Sequence, residues 1–227
     1  MKKWLSILPL ILMGCPHTGY NPPLDVTPNF TPGKYSYDVF KNGRLEGTAV
    51  YEVEQLESGY RFFQVLKTLA ITDSFVLTTD VKLFPVESHR VTLLAGTAKI
   101  IDITAKYFTD SVEVRGFAGR YRYGRKVVKL KGKVFDYGEL PYLLPAFVSK
   151  GISTVPLFVP ENAKVQMLKV ISVERSDSAL DVRVELDKKN IEFGYKLLSG
   201  GYVISRIYNF DSRTLMALRR NKQGGVE

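Results

Sequence analysis

From Tyr35 onward, apolar and polar residues alternate along most of the chain, in runs such as "YSYDVF", "GTAVYEVEQL", "YRFFQVLKTL", "AKIIDITAKYF", "SVEVRGF", "LDVRVELD" and "YVISRIYNF". A period of two sends successive side chains to opposite faces, so each run reads as a half-buried strand. Turn residues separate the runs at short intervals: Asn42-Gly43, Ser58-Gly59, Gly96, Asp177-Ser178, Asp187 to Asn190 and Ser199-Gly200-Gly201. Asn-Gly between alternating runs is a strong hairpin signal, because both residues tolerate the positive φ of a two-residue turn. The pattern predicts a dozen or more antiparallel strands in one all-β domain over residues 34–220, with a flexible tail at 221–227. A meander of that size must close or curl to hide its edges.

One stretch breaks the alternation. In "FDYGELPYLLPAFVSKG", residues 135–151, Leu140, Leu143, Leu144 and Phe147 recur at steps of three and four. That spacing predicts one short helical segment near 136–149, entered from Asp136 and closed by Gly151. Pro141 suits a first turn, whereas Pro145 removes an amide donor in mid-helix, so two short pieces are expected. In an all-β chain the segment either plugs the curled sheet or forms a lid over a hollow interior.

The N-terminus has a different character. Met1-Lys2-Lys3 leads into an apolar run from Trp4 to Met13 and then Gly14-Cys15. The run is too short to span a bilayer and reads as a secretory signal. A small residue directly before the sole cysteine resembles the lipobox of bacterial lipoproteins. That resemblance implies that residues 1–14 are removed and that Cys15 becomes the acylated first residue. Two or three acyl chains hold stably, since each buried methylene contributes about 0.8 kcal/mol and one chain alone binds reversibly. A single cysteine leaves no intramolecular disulfide, so stability rests on the core. Residues 16–33 carry five prolines and no apolar periodicity; together with Cys15 they read as a lipidated, extended spacer over 15–33.

The strands joined at Asn42-Gly43 in "YSYDVFKNGRLEGTAVYEV", the proline before an arginine-bearing strand in "VKLFPVESHRV" and the closing hairpin "GYVISRIYNF" resemble bacterial envelope proteins of domain-of-unknown-function family 3108. The resemblance covers residues 34–218. It implies a long antiparallel meander rolled into a β-spiral or incomplete barrel, similar to periplasmic lipoprotein carriers. Such relatives hold acyl chains or peptides in an apolar concavity. It implies no reaction, and a fold alone does not transfer function.

Material for catalysis is sparse. With two histidines and the cysteine committed to lipid, a Cys/His metal cluster cannot be assembled. No G-x-S-x-G, H-E-x-x-H or phosphate-binding glycine loop occurs. The glycines of "FAGRYRYG" lie among strands without a following helix. His89 shares strand parity with Glu87, but no nucleophile lies near it, and it reads as an ordinary strand histidine. No catalytic residue, metal ligand or cofactor is therefore expected.

Charge adds one candidate surface. The formal net charge is +9, and +7 once Lys2 and Lys3 leave with the signal. Arg115, Arg120, Arg122, Arg125, Lys126, Lys129, Lys131 and Lys133 follow one another with no acid between them. Alternation sets Arg120 and Arg122 opposite Tyr121 and Tyr123, which makes one side of this hairpin a cationic ribbon. The ribbon suits anionic headgroups of the tethering membrane, or solubility and protection of an edge strand. With its aromatics turned inward it does not suit nucleic acid. Thirteen Tyr and thirteen Phe supply either a packed core or an amphipathic cavity wall.

The sequence thus predicts a non-enzymatic, lipid-anchored protein of the bacterial cell envelope, facing the periplasm. Its rolled sheet would bind something apolar or amphipathic: lipid, lipoprotein or peptide. The alternative is a structural lipoprotein with a solid core that docks an envelope protein or the membrane surface. The absence of aspartate after Cys15 slightly favours the outer membrane over the inner.

Overall fold

The computed structural model describes residues 26–219. The signal segment 1–14, Cys15, most of the spacer and the tail at 221–227 lie outside the described residues.

The alternating runs become strands β1 (Gly33–Lys41), β2 (Arg44–Leu56), β3 (Gly59–Thr68), β4 (Ile71–Asp80), β5 (Pro85–Leu94), β6 (Ala98–Tyr107), β7 (Ser111–Ala118) and β8 (Tyr121–Lys129). After a crossing segment come β9 (Phe135–Asp136), a 3-10 turn (Tyr137–Glu139) and helix α1 (Leu140–Ser149). The chain finishes with β10 (Thr154–Val159), β11 (Lys164–Arg175), β12 (Ala179–Leu186), β13 (Lys189–Leu198), β14 (Gly201–Asn209) and β15 (Thr214–Leu218). All fifteen strands form one sheet, ordered β8 through β1, then β15 back down to β9. The first and last strands therefore pair at its centre, with Tyr37 opposite Leu218 and Lys41 opposite Thr214. Neighbouring strands are antiparallel except β9 and β10, which are parallel. The sheet does not close by hydrogen bonds; β8 and β9 are its edges.

Turn chemistry explains the tight connections. Asn42 and Gly43 sit at φ 50° and 77° between β1 and β2, the left-handed pair that a type I′ hairpin demands. Asp187 and Lys188, at φ 49° and 65°, build the same kind of turn without glycine.

The rolled sheet overlaps itself. β10 is buried on both faces: Val155 and Leu157 belong to the main apolar cluster, whereas Phe158 belongs to a second one with Ile103, Ala105, Val112 and Val114 of β6 and β7. A strand covered on both sides reads as a continuous apolar run rather than an alternating one, and "TVPLFV" is such a run. β9 lies against β5, so one edge tucks inside the curl while β8 remains outside. The β-spiral expectation holds.

Helix α1 fills the interior. Leu140, Leu143, Leu144 and Phe147 are buried as expected, but so are Pro141, Tyr142, Pro145 and Ala146. A helix that is apolar and covered all round is a plug, and the lid alternative is corrected accordingly. The expected interruption at Pro145 is also absent, because α1 runs through it. Pro145 has no N–H for the Pro141 carbonyl, and the Tyr195 hydroxyl donates to that carbonyl instead, at 2.8 Å. The break falls earlier, between the 3-10 turn and α1. Asp136 and Glu139 form a reciprocal capping box around that turn: Asp136 Oδ1 accepts from Gly138 N at 2.7 Å and Glu139 Oε1 from Asp136 N at 2.8 Å.

The spacer reading needs correction at its inner end. Val26 and Phe30 are buried, Phe30 makes edge contacts with Tyr60, Phe62 and Tyr142, and Thr31 N donates to Tyr202 O at 3.0 Å. Two apolar side chains suffice to fasten this proline-rich segment to the sheet, since each gains roughly 1.5–3 kcal/mol on burial.

Candidate functional site

Between the start of α1 and the inner face of the sheet lies a cavity of about 230 Å³. Leu66, Phe75, Ile103, Leu140, Phe193 and Met216 are among the residues that give it an apolar wall. Its other end is polar, lined by Asp73, Arg90, Glu161, Gln64, Ser88 and Asp136. Arg90 and Glu161 retain side-chain exposures of 30% and 20%, so the polar end is the mouth.

The polar end is assembled from strand parity. On β4, Asp73 and Phe75 share the inward face; on β5, Ser88, Arg90 and Thr92 do. Asp73 stands opposite Thr92, which places it diagonally across from Arg90, within reach of a long side chain. The Arg90 guanidinium grips Asp73 with two parallel bonds, Nε to Oδ1 at 3.0 Å and Nη2 to Oδ2 at 2.8 Å. Its Nη1 donates to Glu161 Oε1, and the Thr92 hydroxyl donates to Asp73. Glu161 comes from the turn between β10 and β11, so this fork ties one half of the spiral to the other. Burial works against the Arg90 charge, but Asp73 and Glu161 outweigh it and hold the guanidinium firmly protonated. The second Glu161 oxygen, Oε2, is shielded from solvent and has no hydrogen-bond partner among the described residues.

Beside this fork lies a second acidic group. Asp136 accepts from the Tyr107 hydroxyl and from Gly138 N. Burial pushes its carboxyl up to about 6, against the pull of the donors from Tyr107, Ser88 and Gly138. Glu139, wholly buried, is pushed far above the usual carboxylate range by burial and then by the Asp136 charge. Gly138 is required where it stands: a Cβ there would lie 2.2 Å from the Phe75 ring. Gln64 Nε2 donates to the Gly138 carbonyl at 2.9 Å, which pins the turn against β3.

The residues singled out in the sequence are distributed elsewhere. Of the four helix residues singled out, Leu140 lines the cavity, while Leu143, Leu144 and Phe147 are core. The cationic hairpin is on the outside and is partly neutralised. Arg115 and Arg125 both bind Glu113, at 2.7 and 2.8 Å, and Lys129 binds Asp110 at 3.0 Å. Arg120, Arg122, Lys126 and Lys133 lie over the rings of Tyr121, Phe117, Tyr123 and Phe84. β8 ends at Lys129, so Lys131 and Lys133 belong to the crossing segment and not to a ribbon on the strand. The expectation of inward tyrosines also fails in part: Tyr121 is exposed and Tyr123 half-buried, because β8 is an edge strand. Cys15 lies outside the described residues.

His89 pairs with Asp102, Nε2 to Oδ1 at 3.0 Å, on the exposed face. The residue that matters to the cavity is its neighbour, Arg90. A signal for it exists in the sequence: Ser88, Arg90 and Thr92 are three successive same-parity polar residues in a strand where one parity must face the core. Among the described residues no group of three His, Cys, Asp or Glu side chains is placed to hold a metal ion.

No family model matches the chain, and no curated protein matches it. A solved structure that is similar is the β-barrel-like protein of domain of unknown function DUF1849 from Brucella abortus, with a TM-score of 0.57 and 13% identity over 85% of this chain and 96% of that one. At that identity the likeness is one of fold. The chain therefore has a β-barrel-like fold, and membership of family 3108 in particular is not supported.

Proposed function

We propose that this protein is a non-enzymatic, lipid-anchored envelope protein whose rolled sheet binds a small amphipathic molecule. The observation that carries the reading is the cavity: apolar wall, polar mouth, and rims drawn from both halves of the spiral. Ligand pockets share that composition, mostly apolar with a few convergent polar groups. At about 230 Å³ it is smaller than the roughly 300–1,000 Å³ typical of drug-sized ligands. A short chain or one end of a longer one fits better than a whole phospholipid. The barrel-like neighbour supports the architecture, and the N-terminal signal ending in Cys15 supports the tether.

Native mass spectrometry of the full chain tests the binding. A protein peak accompanied by a stoichiometric adduct of small-molecule mass is the expected result. The bare chain mass alone, from several preparations, would favour the structural lipoprotein that docks a protein partner. Replacing Cys15→Ser tests the tether, with release from the membrane fraction as the expected outcome.

A further inference from the structure

The chain as a whole is basic, at +9, yet the polar mouth of the cavity is not. It holds the carboxyl groups of Asp73 and Glu161 on one guanidinium, with the Asp136 carboxyl also in the lining. Arg90 is not available to an incoming anion: both Asp73 oxygens and one Glu161 oxygen already occupy it. A carboxylate or phosphate head entering here would meet an excess of negative charge. An ammonium offers three N–H donors and no acceptor, which complements that excess. The rings of Tyr51, Phe75, Tyr137 and Phe193 also line the cavity, and aromatic faces attract cations within about 6 Å.

We infer that the cavity takes an amphiphile with a cationic amine head, held by Glu161 and Asp73 beside Arg90, and rejects its carboxylate counterpart. The inference rests on the reading of the cavity as a ligand site and adds the chemistry of the head. The tail is short, because a cavity of about 230 Å³ lies below the roughly 300–1,000 Å³ typical of drug-sized ligands.

Isothermal titration calorimetry of the full chain with octylamine, octanol and sodium octanoate separates the two. Octylamine should bind one to one, octanol at least about tenfold more weakly, and octanoate not measurably. Glu161→Gln keeps the side chain's size and the bond network's outline but removes the charge, and should weaken octylamine about tenfold while leaving octanol unchanged. If that variant melts early, Glu161→Asp, which withdraws the carboxylate by one methylene, should show an intermediate loss. Octanoate binding as tightly as octylamine, or an unchanged octylamine affinity in a folded Glu161 variant, would overturn the amine assignment and leave the cavity reading standing. No heat from any of the three overturns both.

Discussion

Arg90 and Asp136 are the ionisable groups around which the polar end of the cavity is built. Arg90 is held by a bidentate Asp73 and by Glu161, groups contributed by β4 and by the turn after β10. Substituting Arg90→Met removes the cation and leaves two partly buried carboxylates facing each other. The loss should fall near the lower end of the ~3–5 kcal/mol seen when one member of a buried pair is removed, since these groups keep some solvent. Urea denaturation measures it, and a change below ~1 kcal/mol would show the fork to be incidental. Asp136 makes a prediction of opposite sign to ordinary acid denaturation. Its folded pKa of about 6 lies above the ordinary aspartate value of 3.8, so folding favours the protonated form. The associated stability is complete below the unfolded pKa and is lost as pH rises through about 6; Glu139 acts in the same direction. Lowering pH from about 7.5 to 5 should therefore raise stability by on the order of 1 kcal/mol from Asp136 alone. In Asp136→Asn the rise should shrink by about that amount. A wild-type urea midpoint that falls over this range would refute the assignment.

Helix α1 survives a proline at its centre because the sheet supplies what the proline removes. The Tyr195 hydroxyl takes the place of the missing Pro145 N–H on the Pro141 carbonyl. Tyr195→Phe should thus strand a buried carbonyl and destabilise by about 1–3 kcal/mol. In a Pro145→Ala background the restored amide can occupy that carbonyl, and the same Tyr195 substitution should then be about 1 kcal/mol milder. A double-mutant cycle by thermal or urea unfolding reads the coupling, and strict additivity would show that Tyr195 acts through packing alone. The helix could be located from its three- and four-residue steps. Its continuity through Pro145 could not, since the compensating hydroxyl lies 54 residues away.

For the whole molecule, the outer charge and the inner charge have opposite signs. The basic hairpin at the free edge is screened in part by Glu113 and Asp110, which leaves Arg120, Arg122, Lys126, Lys131 and Lys133 as the candidates for attraction to anionic headgroups. Each basic residue near such a surface contributes about 1 kcal/mol, and salt weakens it. Full chain freed of its lipid should sediment with anionic vesicles at low ionic strength, and neutralising those five residues together should abolish this. Failure of the parent protein to sediment would leave the hairpin as protection for an edge strand.

Period-two alternation, turn residues and the three- and four-residue apolar steps of 135–151 were enough to determine an all-β meander, its hairpins at Asn42-Gly43 and Asp187-Lys188, and helix α1, because those are local properties of the backbone and of neighbouring side chains. What lay beyond local reach was decided by the roll of the sheet. Only the overlap of β10 with β6 and β7 determines that "TVPLFV" is covered on both faces. Only the curl brings Glu161 to Arg90, 71 residues distant, and turns a polar parity on β5 into the mouth of a cavity. Such meetings depend on long-range register and curvature, which no short window of sequence encodes.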